Sequence, residues 1–156
     1  MSISASAPGL SKRLAAALKT FDDNGLRDLG ARCGVAFVIM ARARAGRAIN
    51  VRDYLALCAG LGIDPTSGSR REDAQVPAEV LWCFLGTGVR TARSTRGLSV
   101  RAAARIARIP ACTFTRIEQG RPVGIVNFLA LCRFVGVPPE GFTRNQCNTL
   151  NSREAA

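Results

Sequence analysis

The chain has 156 residues, 47% of them hydrophobic and 21% charged, a balance that fits one ordinary globular domain or two small ones and excludes an extended disordered polymer. Its formal charge of +11 arises from 22 basic against 11 acidic groups, with Lys12 and Lys19 the only lysines and no histidine at all. That charge favours a polyanion such as DNA, RNA or an anionic membrane surface. Because nearly all of it is arginine, each cation carries a planar fork that matches phosphate and the guanine edge. No stretch approaches the roughly 20 apolar residues of a membrane span, and the basic groups do not gather on one amphipathic helix, so no membrane partner is expected.

In chain order, the opening residues Met1-Ser-Ile-Ser-Ala-Ser-Ala-Pro-Gly lack a basic start and an apolar core. The expected location is therefore cytoplasmic, with nucleoid association when bound to DNA. Residues 8–65 then read as a first helical module, and residues 66–77 as a polar linker rich in turn formers. Residues 78–142 read as a second helical module, and residues 143–156 as a flexible tail without apolar period. The charge is uneven: 11 basic and 7 acidic residues up to Gln75, a balance of +4, against 11 basic and 4 acidic after it, a balance of +7.

The two modules are related by an internal repeat. Leu55-Ala56-Leu57-Cys58 reappears as Leu129-Ala130-Leu131-Cys132, an offset of 74. With no gap, the same offset pairs Arg27 with Arg101, Arg42 with Arg116, Gly46-Arg47 with Gly120-Arg121, Gly62 with Gly136 and Pro65 with Pro139. Apolar positions follow, Met40 with Phe114 and Tyr54 with Phe128 among them. Equal spacing of glycines, arginines and apolar positions implies two copies of one unit.

Within the second copy, Val100, Ala103, Ala104 and Ala107 form a stripe at helical spacing behind a good N-cap, Ser99. Pro110 suits the first turn of the next helix, which runs to about Gln119 and stops at Gly120. A further helix covers Ile125 to Val135 and ends at Gly136. No segment has the alternation of a strand, so the expected fold is all-α. The six cysteines (Cys33, Cys58, Cys83, Cys112, Cys132, Cys147) form no C-x-x-C pair. Without histidine no metal site is expected, and the thiols read as small buried apolar residues.

The run from Gly97-Leu-Ser-Val through Thr113-Phe-Thr-Arg-Ile-Glu-Gln-Gly-Arg121 resembles the Cro/lambda-repressor-like (XRE) family of helix-turn-helix proteins. Val89-Arg90-x-Ala92-Arg93-x-x-Arg96 is similar to that family's first helix, and Val135-Gly-Val-Pro-Pro-Glu-Gly-Phe142 to its closing turn. The resemblance spans about residues 84–142 and reaches the first copy through the internal repeat. It implies two tandem lambda-repressor-like five-helix modules, joined by the linker, whose third helices enter the major groove of double-stranded DNA. Where the family often carries glutamine after the serine of its second helix this chain has Val100, which removes one adenine contact from what the resemblance implies.

In the second copy Phe114 and Ile117 face inward, so Cys112, Thr115, Arg116 and Gln119 form the outward stripe, with Ala111 and Thr113 beside it. Ser99, Arg101 and Arg121 join them as candidate DNA contacts, with Arg105 and Arg108 nearby to neutralise phosphate. In the first copy the stripe is Val38, Ala41, Arg42 and Ala45, with Phe37 at the helix start. There Arg42, Arg44 and Arg47 are the candidate DNA contacts. The apolar Phe37-Val38 pair admits three readings: contact with thymine methyl groups, a face for a homodimer or a protein partner, or a helix phase shifted by one residue.

Two function classes remain. The first is a sequence-specific transcriptional regulator, a repressor or mobile-element control protein. The second is a protein-interaction module, anti-activator or antitoxin-like, that keeps the fold with weak or no DNA binding. An enzyme is not expected, because histidine, a phosphate-cradling glycine loop and clustered carboxylates are all missing, and no cofactor is implied.

Overall fold

The computed structural model describes residues 8–71 and 74–145. It forms two compact units, one within Met1–Ala78 and one spanning Glu79–Arg144. The first contains α1 (Pro8–Leu18), α2 (Asp23–Cys33), α3 (Phe37–Arg44) and α4 (Val51–Gly60). The second contains α5 (Trp82–Thr95), α6 (Val100–Ala107), α7 (Ala111–Glu118) and α8 (Ile125–Val135), followed by a 3-10 turn at Pro139–Phe142. The fold is thus mainly α, with four α-helices in each unit and a 3-10 turn where a fifth helix of the second is expected.

Local chemistry sets where these helices begin. The Asp22 carboxylate accepts a hydrogen bond from the Gly25 N–H at 2.7 Å, the Asn50 amide oxygen from the Asp53 N–H at 2.8 Å, and the Ser99 hydroxyl from the Ala102 N–H at 3.2 Å. Each satisfies a backbone donor that the first helical turn leaves without a partner. Pro110 lies one position before the first turn and serves as the N-cap of α7. It closes the α6–α7 turn without a side-chain hydrogen bond.

Each unit buries one apolar face of every helix. Leu18, Leu26, Leu29, Met40 and Leu57 are fully buried in the first unit. Leu85, Val89, Phe114, Ile117, Phe128 and Leu131 are fully buried in the second. Phe114 meets the Phe134 ring edge-on at 5.5 Å, and Trp82 meets Phe128 edge-on at 5.8 Å, geometries that add about 1 kcal/mol per pair beyond area burial.

Two short strands, β1 (Pro77–Val80) and β2 (Thr143–Asn145), pair beside the second unit. The Leu81 N–H donates to the Phe142 carbonyl at 2.8 Å and Arg144 faces Glu79 at 3.5 Å. The segment expected to fray therefore begins as a strand. Its period was invisible because three residues are too few to alternate. The tail beyond residue 145, and with it Cys147, lies outside the described residues.

Helix starts repeat at one interval for α1 and α5 (Pro8, Trp82), α3 and α7 (Phe37, Ala111) and α4 and α8 (Val51, Ile125), whereas α2 starts at Asp23 and the shorter α6 at Val100. Left-handed backbone recurs at Gly34 and Arg108, at Gly46 and Gly120, and at Gly62 and Gly136.

The cysteines divide by burial. Cys33, Cys58 and Cys132 are buried, whereas Cys83 and Cys112 are exposed. The uniform reading of buried thiols is corrected at Cys83, which shares the outward side of α5 with the exposed Phe84 and Thr87. Burial raises the Cys33 thiol pKa and pushes those of Cys58 and Cys132 up to about 12. At pH 8 this leaves roughly one thiolate in ten thousand at Cys58 and Cys132. Native alkylation followed by peptide mass spectrometry should label Cys83 and Cys112 within minutes and leave Cys33, Cys58 and Cys132 untouched until denaturant is added.

Candidate nucleic-acid interface

The second unit presents α7 as an exposed helix held from beneath. Phe114 and Ile117 are fully buried, and on the opposite side Cys112, Thr115, Arg116 and Gln119 are exposed. Ala111 and Thr113 are half-buried along the edges of that stripe. Ser99 is exposed at the start of α6, with its hydroxyl engaged as the N-cap. The Thr115 hydroxyl donates to the Ala111 carbonyl at 3.1 Å.

What holds α7 is a close backbone approach from α5. A β-carbon at Gly86 would stand 2.3 Å from the Ile117 carbonyl oxygen, against the 3.4 Å at which ordinary contact begins. Only glycine lets the two helices come this near. Two arginines of α5 then reach the end of α7. Arg90 donates to the Glu118 carbonyl at 2.6 Å, where a cation complements the helix dipole. Arg93 donates from Nε to the Glu118 carboxylate at 2.6 Å and from Nη1 to the Leu98 carbonyl at 3.0 Å. With side-chain exposures of 21% and 10%, the Arg93–Glu118 pair is largely shielded from solvent. Losing one partner from a pair like this costs about 3 kcal/mol.

Arg93 and Glu118 both lie in the motifs that carry the resemblance, but their pairing with each other is not among the sequence expectations. Glu118 is the sole acidic residue between Glu79 and Glu140.

The remaining arginines of the second unit are differently placed. Arg101, Arg105, Arg108, Arg116 and Arg121 are all exposed, and none makes an ion pair or a side-chain hydrogen bond among the described residues. Arg101 and Arg105 stand one turn apart on α6 and share a face. Arg108 occupies the turn into α7, and Arg121 follows it. Five guanidinium groups without internal partners thus stand on α6, on α7 and in the turns beside them.

In the first unit several arginines are engaged within the unit. On α3, Arg42 donates to the Ala48 carbonyl at 3.2 Å and Arg44 pairs with Asp23 at 3.0 Å. Arg52 donates to the Gly34 carbonyl at 2.7 Å and to Asp53 at 3.0 Å. Of Arg42, Arg44 and Arg47, only Arg47 keeps a guanidinium without a partner among the described residues. Met40 and Ala43 are buried beneath α3, while Val38 is 68% exposed. Phe37 is half-buried, with the Arg27 guanidinium 5.0 Å from its ring centroid. The Phe37-Val38 pair therefore does not form one exposed apolar patch. A cation covers the ring, and the valine is exposed on the same stripe as Ala41 and Ala45.

Residues 85–143 match the family model of a helix-turn-helix domain. The match takes in α6, the Arg108-Ile109-Pro110 turn and α7, which are the two helices and connection of that motif, and it covers less than half of the chain. No curated protein and no solved structure matches the chain. No described helix is long and apolar enough to cross a membrane.

Gly86→Ala tests the support of α7. Alanine gains about 1 kcal/mol of helix propensity, but the clash is with backbone, which cannot rotate away, and overpacking of this kind costs about 1–3 kcal/mol. The clash should prevail. Urea unfolding followed by the fluorescence of Trp82, the single tryptophan, should show a midpoint lowered by a net loss of up to about 2 kcal/mol.

Proposed function

We propose that the chain is a sequence-specific DNA-binding transcriptional regulator, of the Cro/lambda-repressor-like (XRE) kind, acting as a repressor or as a control protein of a mobile element. The observation that carries this reading is the outward stripe of α7. Arg116, with no internal partner, stands between Thr115 and Gln119 on a helix clamped at its far side, within the segment that matches a helix-turn-helix domain. In this reading α7 enters the major groove, Arg116 reads a guanine through its fork and Gln119, Thr115 and Cys112 contact neighbouring edges. Arg101, Arg105 and Arg121 neutralise phosphate on either side.

We further propose that the two units are tandem copies, residues 8–65 and 78–142, on either side of the polar linker 66–77. The repeated interval between most of their helix starts and between their left-handed residues supports this. The copies differ in function. Because Arg42 and Arg44 are held by Ala48 and Asp23, the first copy contributes little base reading. It acts as a weakly specific companion through Arg47, on a half-site one helical turn from the first.

Selection from a randomised duplex pool with the full chain should yield one strong half-site. Arg116→Ala should then lower affinity for that site by about 1–3 kcal/mol, roughly 5- to 150-fold, and erase preference at one G·C position. Uniform binding to every duplex, unchanged by that substitution, would sink the proposal.

A second reading rests on Val38, whose exposure on the apolar stripe of α3 favours a protein contact of the first unit, either with a second copy or with another protein. On this reading the chain is an interaction module that retains the fold without reading DNA. It expects a dimer in sedimentation equilibrium that Val38→Asp converts to a monomer, with no duplex shifted at any salt. A monomer that shifts DNA excludes it.

A further inference from the structure

Among the described residues Arg108 is the one non-glycine with positive φ, at φ 57° and ψ 41°. Every other position in that region is glycine. Its β-carbon makes the left-handed conformation unfavourable for any L-residue except glycine, asparagine and aspartate to a degree. The turn that demands it is rigid: the Arg108 N–H donates to the Arg105 carbonyl at 3.1 Å and the Ile109 N–H to the Ala104 carbonyl at 3.0 Å. Ile109 is buried immediately after it.

The same turn is built elsewhere in the chain without strain. Gly34 ends α2 at φ 60° and ψ 38°, with the Gly34 N–H on the Ala31 carbonyl at 3.3 Å and the Val35 N–H on the Gly30 carbonyl at 2.8 Å. Glycine therefore satisfies everything the backbone asks of this turn. What arginine adds at 108 is only its side chain, which is exposed and makes no hydrogen bond or ion pair among the described residues. A side chain that costs stability and has no internal partner has its use outside the molecule.

We infer that Arg108 is a phosphate-anchoring residue, held in an unfavourable backbone conformation so that a guanidinium projects from the turn directly before α7 onto the nucleic-acid backbone. This deepens the DNA-binding reading of the second unit and rests on it. The ligand is the phosphodiester backbone and not a base, because the residue lies outside the α7 stripe and precedes its first residue, Ala111. Arg105, one turn back along the exposed face of α6, gives the same phosphate track a second cation.

The test compares the full chain with Arg108→Gly and Arg108→Lys. Relief of strain in Arg108→Gly should raise the thermal midpoint read by Trp82 fluorescence by about 4 °C. The same variant should bind the selected duplex and a random duplex more weakly by an equal factor, about five- to tenfold at 0.1 M salt. Its plot of log affinity against log salt should flatten by about 0.9, one phosphate's worth. Arg108→Lys should keep the slope and the wild-type midpoint. If the wild-type chain binds and Arg108→Gly matches its affinity and slope, the inference fails while the DNA reading stands. The same holds if the glycine variant gains no stability. If the wild-type chain shifts no duplex, the DNA reading itself fails and takes this inference with it.

Discussion

The second unit is organised around a missing side chain. At Gly86 the backbones of α5 and α7 approach so closely that no β-carbon fits between them, with the Ile117 carbonyl 2.3 Å from where one would lie. The contact brings Arg90 and Arg93, one turn and two turns further along α5, within reach of the last residue of α7. Their grip on Glu118 then fixes the rotation of α7 about its axis. Rotation decides which residues face outward, and this grip, together with the burial of Phe114 and Ile117, sets Cys112, Thr115, Arg116 and Gln119 on the exposed side. A recognition surface must be held to within a fraction of an ångström if hydrogen bonds to base edges are to form. This surface is supported by backbone proximity and a shielded ion pair, neither of which relaxes easily.

The first unit has much the same helical spacing with a different electrostatic wiring. Where α7 ends in the carboxylate of Glu118, α3 ends in Arg44, and the cation turns to Asp23 at the start of α2. The grip thus changes polarity and changes helix. One consequence is that the guanidinium at the end of α3 already faces a carboxylate, across a pair that is open to solvent. In the second unit, structural work falls to Arg90, Arg93 and Arg96, the last stacked 4.8 Å from the Phe134 ring. The arginines of α6 and α7 are left free for an external anion. Net charge, +4 against +7 along the sequence, understates this difference. What counts for a polyanion is charge without an internal counterion: among the described residues the arginines of α6 and α7 have none, whereas on α3 Arg44 faces Asp23.

Much of this was legible in the sequence. Helical periodicity with the cap Ser99 and the stops Gly120 and Gly136 located α6, α7 and α8 to within about a residue, because caps and left-handed glycines are local chemistry. The outward stripe of α7 was legible for the same reason: Phe114 and Ile117 have to face inward, and that fixes the rest. Less legible was anything depending on distance through space. Arg93 and Glu118 lie far apart in sequence, and Arg27 over Phe37 links two helices. A side chain's hydrogen-bond partner, as with Arg42 on the Ala48 carbonyl, leaves no trace in periodicity. Strands β1 and β2 were missed because each is too short to show alternation.

The turn between α6 and α7 shows how local geometry and charge are joined. A left-handed residue is needed there to reverse the chain after α6 and drop Ile109 into the core. Glycine does this at lowest cost, and position 34 does it with glycine. At position 108 the chain keeps an arginine in a backbone well that glycine fills better, beside four other arginines that also lack internal partners. Stability and charge placement pull in opposite directions at this one residue. A unit selected only to fold would resolve the conflict in favour of glycine, whereas a unit that must hold an anion in register has a physical reason to keep the cation.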